Sequence, residues 1–447
     1  ISACLVGSEM CIRDRFVTWR LGRRLGGPFA GLIALILLAA CPLYYGNMFI
    51  NCKDAPFATA MLVALYGIVR AFEEYPRASP ATIALCGIGV GLAIGERVLG
   101  GFAVLDAFLP ILFVFAVRAA ATGLRPAAGE CGAFLLPFLP AAILALFVMG
   151  LLWPWSVTEP FNLFHALEYF SKDFEKPWRE LFDGQLIPIV SMPRSYALTL
   201  LAVQLPELML ALGIGGTVGA IVTACRRSHD VGRRAALLAI VLAATLPVFL
   251  TVVDRPYIYN GVRHILFIVP PFAVLGGLAG GWIARRLAGR SRAAAVAAAG
   301  LFVVGTASPV TDMVRLHPYE YTDFNHIVGG VRGARALFML DYWGLSLTQA
   351  SRAFLAYLAN HNEKPPNGQW KVAVCGPHPP VSVALGPDFD ISWDPKGVDF
   401  AMELGEFYCR KLDAPLLFQI VRDGVVYARV YDIRGRSITN LLTIPGI

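Results

Sequence analysis

Residues 44–57 read YYGNMFINCKDAPF, and this stretch decides the fold. Lys53 and Asp54 stand side by side between two uncharged apolar runs, at residues 28–49 and 57–69. A charged side chain in hydrocarbon costs roughly 2.5–3.5 kcal/mol on insertion scales. The pattern therefore predicts a membrane hairpin whose tip carries the two charges, either as a solvated turn or as part of a site.

The composition extends this prediction to most of the chain. Of the 447 residues, 57% are hydrophobic and 15% are charged, whereas about 25% are charged in a soluble domain. The apolar runs do not alternate with polar residues, so they predict helices rather than the strands of a barrel. We expect about nine spans, at residues 28–50, 56–72, 81–97, 100–117, 131–153, 197–223, 235–253, 264–284 and 293–310.

The connections between the spans differ in charge, and this predicts their orientation. Five short connections are rich in arginine: Arg20, Arg23, Arg24, Arg70, Arg77, Arg118, Arg125, Arg226, Arg227, Arg233, Arg234, Arg285, Arg286, Arg290 and Arg292. The positive-inside rule places them in the cytoplasm. Residues 51–54, 153–196 and 254–263 and the tail after 310 then face outward. The net charge of +7 follows from this topology, and no basic stretch has the interleaved aromatic residues that predict a nucleic-acid partner.

Three domains are expected from the changes in composition. Residues 1–15 lack periodicity and resemble translated sequencing-adapter read-through, so they are interpreted as a non-native segment. Residues 16–310 form the transmembrane domain, whose outer loop 153–196 carries an apolar stripe typical of an interfacial helix: Phe161, Phe164, Leu167 and Phe170. Residues 311–447 read as a small outer α/β domain.

Several features of the outer domain are specific enough to predict. Residues 330–358 read as mainly helical and residues 370–375 as a strand. Asp423-Gly424 predicts a hairpin between residues 416–421 and 425–431. Cys375 and Cys409 lie in this outward tail, and the sequence leaves open whether they form a disulfide.

The polar side chains that could carry chemistry collect on the outward side. They are Lys53, Asp54, Glu96, Arg97, Asp254, Arg255, Tyr257, Tyr259, Asn260, Arg263, His264, His317, Glu320, Tyr321, Asp323 and Asn325. Arginine binds phosphate through a bidentate fork and lysine as a point charge, and an aspartate suits a metal or a reacting hydroxyl. Three blander interpretations stay open at this point: a solvated Lys53-Asp54 turn, a Glu96-Arg97 pair that neutralises a helix end, and an interfacial anchor at Arg263-His264.

Five blocks, in this order, resemble one family. They are residues 44–57, MPRSY at 192–196 with LPE at 205–207, YNGVRH at 259–264 with PP at 270–271, HPYEY at 317–321 with FN at 324–325, and DYWG at 341–344. Together they resemble the bacterial branch of glycosyltransferase family 39. That branch is similar to the protein O-mannosyltransferases and the lipid A aminoarabinose transferase of the GT-C membrane fold. The resemblance covers about residues 16–345.

The resemblance implies an all-α polytopic GT-C-like fold and a sugar transferase. The enzyme would move a sugar from a polyprenyl-phosphate carrier to a hydroxyl acceptor (protein, lipid or glycan) at the periplasmic face of the bacterial inner membrane. The fragment's N-terminus would be cytoplasmic and its C-terminal domain periplasmic.

The resemblance also implies residue roles. Asp54 matches the second acidic site of the fold, where it would position the acceptor or a divalent metal; the cofactor is otherwise unknown. Residues that would neutralise the lipid phosphate are Lys53, Arg97, Arg263 and His264, with Arg194 a weaker candidate. The main catalytic carboxylate of the family lies in a first outer loop that is expected to be missing here, so this chain is expected to be inactive as it stands. Cys52 replaces a usual proline, and Glu96 a usually apolar or small residue.

Two rival functions belong to other classes. A transporter or flippase of a lipid-linked or anionic solute would use the same outer cations but needs polar residues at the membrane midplane, where Asp106 is the main candidate. A non-catalytic scaffold with a binding tail is the second rival. ATP hydrolysis and serine hydrolysis have no support, because the sequence contains no P-loop and no Gly-x-Ser-x-Gly element.

Overall fold

A computed structural model describes the backbone of residues 2–172, 178–365 and 368–443, and the side chains of these ranges apart from 2–11 and 170–172. Contacts between Cα atoms divide the chain into two compact units. The first contains the described residues up to 172 and residues 193–310, and the second contains residues 178–192 and 311–443.

The helices are α1 (Ser2–Gly26), α2 (Pro28–Ala39), α3 (Pro42–Ile50), α4 (Asp54–Glu73), α5 (Pro80–Glu96), α6 (Gly101–Thr122), α7 (Leu124–Leu135), α8 (Leu139–Leu152), α9 (Asn162–Lys172), α10 (Tyr196–Gln204), α11 (Glu207–Cys225), α12 (Val231–Asp254), α13 (Val269–Ala288), α14 (Arg292–Leu316), α15 (Gly330–Ala334), α16 (Leu345–Asn360) and α17 (His378–Leu385). Short 3-10 helices occupy Val98–Gly100, Leu136–Phe138, Pro154–Val157, Ile189–Ser191, Arg263–Ile268 and Glu320–Thr322. The strands are β1 (Arg179–Phe182), β2 (Gln185–Pro188), β3 (Trp370–Cys375), β4 (Phe389–Ser392), β5 (Phe400–Leu404), β6 (Leu416–Arg422) and β7 (Val425–Asp432).

The first unit is a bundle of membrane-spanning helices. Within the described ranges, seven helices are long and apolar enough to cross a membrane, or eight if α2 and α3 form one bent span. The spans are Asp54–Glu73, Val98–Thr122, Leu124–Leu152, Glu207–Cys225, Val231–Asp254, Arg263–Ala288 and Arg292–Leu316. Together with the α/β domain in the second unit, this confirms the predicted fold class.

The described ranges give seven or eight spans where the sequence predicted about nine, and the runs at 28–50 and 81–97 account for the difference. The run at 28–50 is two helices bent by 62°, because α3 begins anew at Pro42. The run at 197–223 is broken at Pro206, which precedes α11. The run at 81–97 forms α5, which has 17 residues and is short for a span.

The first residues of the chain also differ from expectation. Instead of standing apart from the fold, they belong to α1, a continuous helix from Ser2 to Gly26. Asp14 is buried, and the Tyr44 hydroxyl donates a hydrogen bond to it at 2.9 Å. The origin of residues 1–15 stays a prediction.

Small residues let the spans approach closely, as is common in membrane bundles. A Cβ added to Gly89 of α5 would lie 2.5 Å from Cα of Ala64 in α4, and one added to Gly100 would lie 2.4 Å from the carbonyl oxygen of Ala93. The first contact holds α4 and α5 side by side. The second folds the chain after α5 back onto that helix. Both contacts fix where the beginning of α4 meets the end of α5.

The second unit contains a five-stranded sheet in the order β4-β3-β5-β7-β6. The first three strands are parallel, and β7 pairs antiparallel with β5 and β6. Helix α16 packs on β5 and β7, with the ring of Phe354 edge-on to Phe400 at 4.8 Å. The predicted strand at residues 370–375 is confirmed as β3. The predicted hairpin is confirmed as β6–β7, with Asp423 and Gly424 at φ angles of 43° and 74°.

Other features of this unit were not predicted. Strand β5 was missed because all five of its residues are buried, so no alternation marks it. The expected helix at 330–358 is interrupted between α15 and α16. Residues 178–192, which the sequence placed with the membrane region, group with the tail, where the ring of Phe182 contacts Phe338 at 5.8 Å. Cys375 and Cys409 form a disulfide.

Candidate active site

Asp54 begins α4 and is held by the turn that precedes it. Its side chain is 1% exposed. The amide of Asn51 donates a hydrogen bond to the Asp54 carboxylate, and Asn51 Oδ1 accepts the backbone N–H groups of Lys53 at 3.2 Å and Asp54 at 2.9 Å. A carboxylate in the first turn of a helix also interacts favourably with the helix dipole. Asp54 is therefore a buried, oriented acid, and the interpretation as a solvated turn does not hold for it.

Two arginines from other helix ends converge on this carboxylate. Arg97, at the end of α5, places Nη2 2.5 Å from Asp54 Oδ1. Arg263, at the start of the 3-10 helix before α13, places Nη1 3.6 Å from Asp54 Oδ2. One carboxylate thus faces two guanidinium groups, which leaves a positive surplus of one charge. Because Arg97 pairs with Asp54 and Glu96 is exposed, the Glu96-Arg97 pairing considered from the sequence is not what the structure shows.

Aromatic rings surround the two arginines. Cζ of Arg97 lies 5.9 Å from the ring centroid of Phe57, and Cζ of Arg263 lies 4.9 Å from that of Tyr259. The Phe267 ring contacts Phe57 at 5.1 Å and Phe102 at 5.9 Å. Rings stacked on guanidinium groups hold their position and exclude water, which strengthens the electrostatic interactions of the cluster.

His264 lies directly behind this cluster. It is half-buried, and its ring contacts Tyr259 edge-on at 4.8 Å. Its Nε2 atom is buried and has no hydrogen-bond partner among the described side chains. His264 therefore has an unsatisfied ring nitrogen one residue from Arg263.

The remaining candidates lie farther out. Lys53 directly precedes Asp54 in the chain, and its side chain is exposed to solvent. Arg194 is exposed and donates a hydrogen bond to the Val252 carbonyl oxygen at 3.3 Å. Within the described ranges no ion pair joins either residue to Asp54, so the structure brings together Asp54, Arg97, Arg263 and His264 and leaves Arg194 outside.

Sequence reasoning missed the residues that position this cluster. Asn51 was quoted as part of the turn, but its role as the clamp on Asp54 was not inferred. Asn260 and Gly261 have φ angles of 57° and 73°, and this tight turn delivers Arg263 to the site. The hydroxyl of Tyr196 accepts a hydrogen bond from the Gly261 N–H at 3.0 Å. The Asn-Gly pair at 260–261 was the signal that could have identified the turn.

The residues present do not fit a divalent metal at Asp54. In the described part of the chain, no group of three His, Cys, Asp or Glu side chains could hold a metal ion. Both carboxylate oxygens of Asp54 already face a guanidinium group. A cation at this position would be repelled by both arginines.

The predicted candidates after the ninth span belong to the second unit. His317 Nδ1 lies 2.6 Å from Glu320 Oε1, and the Tyr321 hydroxyl donates to the buried Asp341 carboxylate. Asp341 in turn accepts the N–H groups of Leu345 and Ser346 at the start of α16, both at 3.0 Å. These contacts stabilise the α/β domain, which explains these polar residues without a ligand.

Residues 14–153 match the sequence profile of a family described as dolichyl-phosphate-mannose-protein mannosyltransferase. This range contains Lys53, Asp54 and Arg97, and over it the match confirms the resemblance that the sequence blocks indicated. None of the curated proteins matches the chain.

Several solved structures are similar to the chain. The apo oligosaccharyltransferase of Archaeoglobus fulgidus has a TM-score of 0.49 and 12% identity, over 86% of this chain and 52% of that protein. AglB of the same organism, in complex with an inhibitory peptide and a dolichol-phosphate, has a TM-score of 0.48 and 11% identity, over 90% and 58%. ArnT from Cupriavidus metallidurans, bound to undecaprenyl phosphate, has a TM-score of 0.46 and 13% identity, over 98% and 85%. The chain thus spans about half the length of the oligosaccharyltransferase.

Proposed function

We propose that this chain forms the carrier-phosphate site of a membrane glycosyltransferase, an enzyme that moves a sugar from a polyprenyl-phosphate carrier to a hydroxyl acceptor. The observation that carries the proposal is the buried Asp54 between Arg97 and Arg263, in a chain whose residues 14–153 match a mannosyltransferase family. A phosphate at a lipid headgroup is the anion that such a cluster suits, since it lies where three helix ends meet beside apolar spans.

The charge of the cluster fits the reaction. In the transfer, the acceptor hydroxyl gives its proton to a general base, for which the family that the sequence resembles uses its main catalytic carboxylate, and the acceptor oxygen bonds to the anomeric carbon. The carbon–oxygen bond to the carrier phosphate breaks, and the carrier leaves with one more negative charge. Arg97 and Arg263 would stabilise this developing charge, with Lys53 and His264 beside them. Asp54 holds the two guanidinium groups in place before the ligand arrives, which lowers the cost of ordering them. The same carboxylate would orient the acceptor hydroxyl.

We place the reaction at the periplasmic face of the bacterial inner membrane. One feature supports this side for the candidate site, and a second, independent feature supports it for the α/β domain. The arginine-rich connections lie at the opposite ends of the helices from Asp54. The disulfide between Cys375 and Cys409 suits an oxidising compartment.

Binding of undecaprenyl phosphate to the chain in nanodiscs tests the proposal without requiring turnover. Arg263→Gln and Arg97→Gln should each weaken binding about tenfold or more, since a hydrogen bond to a charged group is worth roughly 1.5–3 kcal/mol. Arg290→Gln is the matched control, because Arg290 is exposed just beyond the opposite end of the span that begins at Arg263. Equal affinity in all three variants would show that the cluster does not bind the phosphate.

A second experiment, in proteoliposomes, distinguishes a transferase from a transporter. In proteoliposomes with a radiolabelled polyprenyl-phosphate sugar, a transferase moves the label from the carrier to an acceptor. A flippase moves the intact carrier between leaflets and leaves its chemical form unchanged. Label that changes leaflet but stays on the carrier would contradict the proposal.

A further inference from the structure

Helix α9 has three chemically distinct faces. Asn162 and Ala166 are buried against the protein at 3% and 4% exposure, and the Asn162 amide donates to the Trp155 carbonyl oxygen at 2.6 Å. At about 100° per residue, Phe164 and Leu167 lie together on a second face, where they are 67% and 52% exposed.

The third face of α9 is polar. His165 is exposed about 160° around the helix from Leu167, and Glu168 is exposed between His165 and Phe164, at the boundary with the apolar face. A helix with one exposed apolar face and one exposed polar face is suited to lie flat at a membrane surface. Its apolar face then contacts the acyl chains, and its polar face contacts water. The sequence predicted this amphipathic character, and the structure adds the third face, by which the protein holds the helix.

The apolar face of α9 is continuous with a surface that already faces lipid. Helix α8 belongs to the span Leu124–Leu152, and its side chains Phe147 and Leu151 are 62% and 66% exposed. The 3-10 helix Pro154–Val157 joins this span to α9 and packs on both helices. Phe161, 64% exposed, precedes α9 directly. The bilayer that covers α8 therefore reaches the level at which α9 begins.

We propose that the exposed apolar face of α9 docks in the headgroup–acyl boundary of the outer leaflet, so that α9 is an in-plane membrane anchor. The occupant of this face is the lipid of the bilayer that surrounds the first unit. An amphipathic helix of this kind buries its apolar face by about 5–10 Å. Docking removes the apolar side chains of Phe161, Phe164 and Leu167 from water, and this burial stabilises the docked helix.

The anchor is connected to the candidate site. Helix α9 packs against the 3-10 helix Val98–Gly100, which directly follows Arg97. The membrane-docked helix and the turn that carries Arg97 are thus in contact within one unit. The docking does not depend on the proposed transfer reaction, and it can be tested without a substrate.

Depth-dependent quenching tests the proposal in the full chain. Phe164→Cys and His165→Cys place a bimane probe on the apolar and the polar face at adjacent, exposed positions, so neither change disturbs packing. Cys4, Cys11, Cys52 and Cys225 are replaced by serine to leave one reactive thiol. In nanodiscs, the probe at position 164 should show blue-shifted emission. It should also be quenched by lipids that carry a doxyl group near the headgroup end of the acyl chain. The probe at position 165 should instead be quenched by aqueous iodide.

Two outcomes would overturn the proposal. If iodide quenches both positions equally, the apolar face is in water. If neither quencher reaches position 164, a protein surface covers it, either another part of the chain or a second copy. Migration as a single species in size-exclusion chromatography shows that the labelled variants have folded.

Discussion

At the scale of single residues, the site depends on a buried ion pair whose partners come from three helices. Asp54 is 1% exposed, whereas the Arg97 and Arg263 side chains are 20% and 11% exposed. Because the two arginines are partly in contact with solvent, each ion pair contributes less to the free energy of unfolding. The Asp54 carboxylate nevertheless faces both guanidinium groups, so its removal should lower the stability of the protein.

Asp54→Asn should therefore lower the stability of the protein. The two arginines would lose their counterion, which we expect to cost at most about 3 kcal/mol because they stay partly solvated. The gain of one positive charge and the loss of the contact that orders the two guanidinium groups act in opposite directions on affinity for undecaprenyl phosphate. The affinity should therefore change less than in Arg97→Gln or Arg263→Gln. Thermal unfolding and binding in nanodiscs measure the two effects. Glu159→Gln removes the same charge from an exposed position outside the cluster and should leave the unfolding temperature unchanged. Equal unfolding temperatures for the two variants would contradict a structural role of the buried Asp54.

The sequence predicted the charged members of this cluster but not how they are held. Asp54, Arg97 and Arg263 could be found because a charge beside a long apolar run is conspicuous. The pairing of Arg97 with Asp54 rather than with Glu96 could not be predicted, because it depends on the packing of α5 on α4. Asn51 gave little signal, since an asparagine in a turn is common and its side chain reveals a clamp only in three dimensions.

At the scale of elements, the packing of α4 on α5 determines where Asp54 meets Arg97. Gly89→Ala would put a Cβ 2.5 Å from Cα of Ala64, which forces the two helices apart. We expect lower thermal stability and weaker binding of undecaprenyl phosphate, because Arg97 moves away from Asp54. The matched control is Gly129→Ala in α7, where a Cβ would meet no atom within 4 Å. That change should be neutral or slightly stabilising, since alanine favours helix; similar losses in both variants would show that the α4–α5 contact has no special role.

The α/β domain contains a second testable feature, a buried glutamate. Burial is the main cause that raises the pKa of Glu406 from 4.5 to about 8, and the neighbouring Asp341 and Glu180 carboxyls act in the same direction. Its Oε1 atom accepts the N–H groups of Leu340 and Asp341, which opposes the rise. Between pH 4.5 and 8 the folded state binds a proton that the unfolded state has released. Stability therefore falls as the pH rises through this window.

Glu406→Gln should reduce this pH dependence. Glutamine keeps an oxygen acceptor for the two N–H groups and does not titrate, so the unfolding temperature of the domain should decline less between pH 5 and pH 8. Thermal unfolding of the full chain at both pH values measures the change. Glu363→Gln, at a surface ion pair with Arg434, is the control and should retain the full decline. A decline in Glu406→Gln as large as in the unchanged protein would exclude Glu406 as its cause.

At the scale of the whole molecule, the presence of the apolar runs was predicted better than the bounds of the helices, and the orientation of the spans stays a prediction. Charge asymmetry between connections is a property of composition, so orientation follows from counting arginines. Helix ends depend on local proline geometry and on tertiary contacts, and for this reason the predicted runs at 28–50 and 197–223 are each divided into two helices. The parallel part of the tail sheet was also missed, because β5 pairs with strands distant in sequence and shows no alternation.

Two native cysteines test the topology directly. Cys52 is exposed in the turn before Asp54, and Cys225 is exposed at the end of α11, next to the arginine-rich connection. A membrane-impermeant maleimide applied to intact cells should label Cys52, whereas Cys225 should react only after the membrane is permeabilised. Cys52→Ser and Cys225→Ser identify each signal. Cys375 and Cys409 are bonded to each other and buried, so they should react only after the disulfide is reduced and the domain is unfolded. The disulfide itself suits the oxidising side of the membrane. Labelling of Cys225 in intact cells would reverse the orientation and place Asp54, Arg97 and Arg263 on the cytoplasmic side, where a periplasmic acceptor could not reach them.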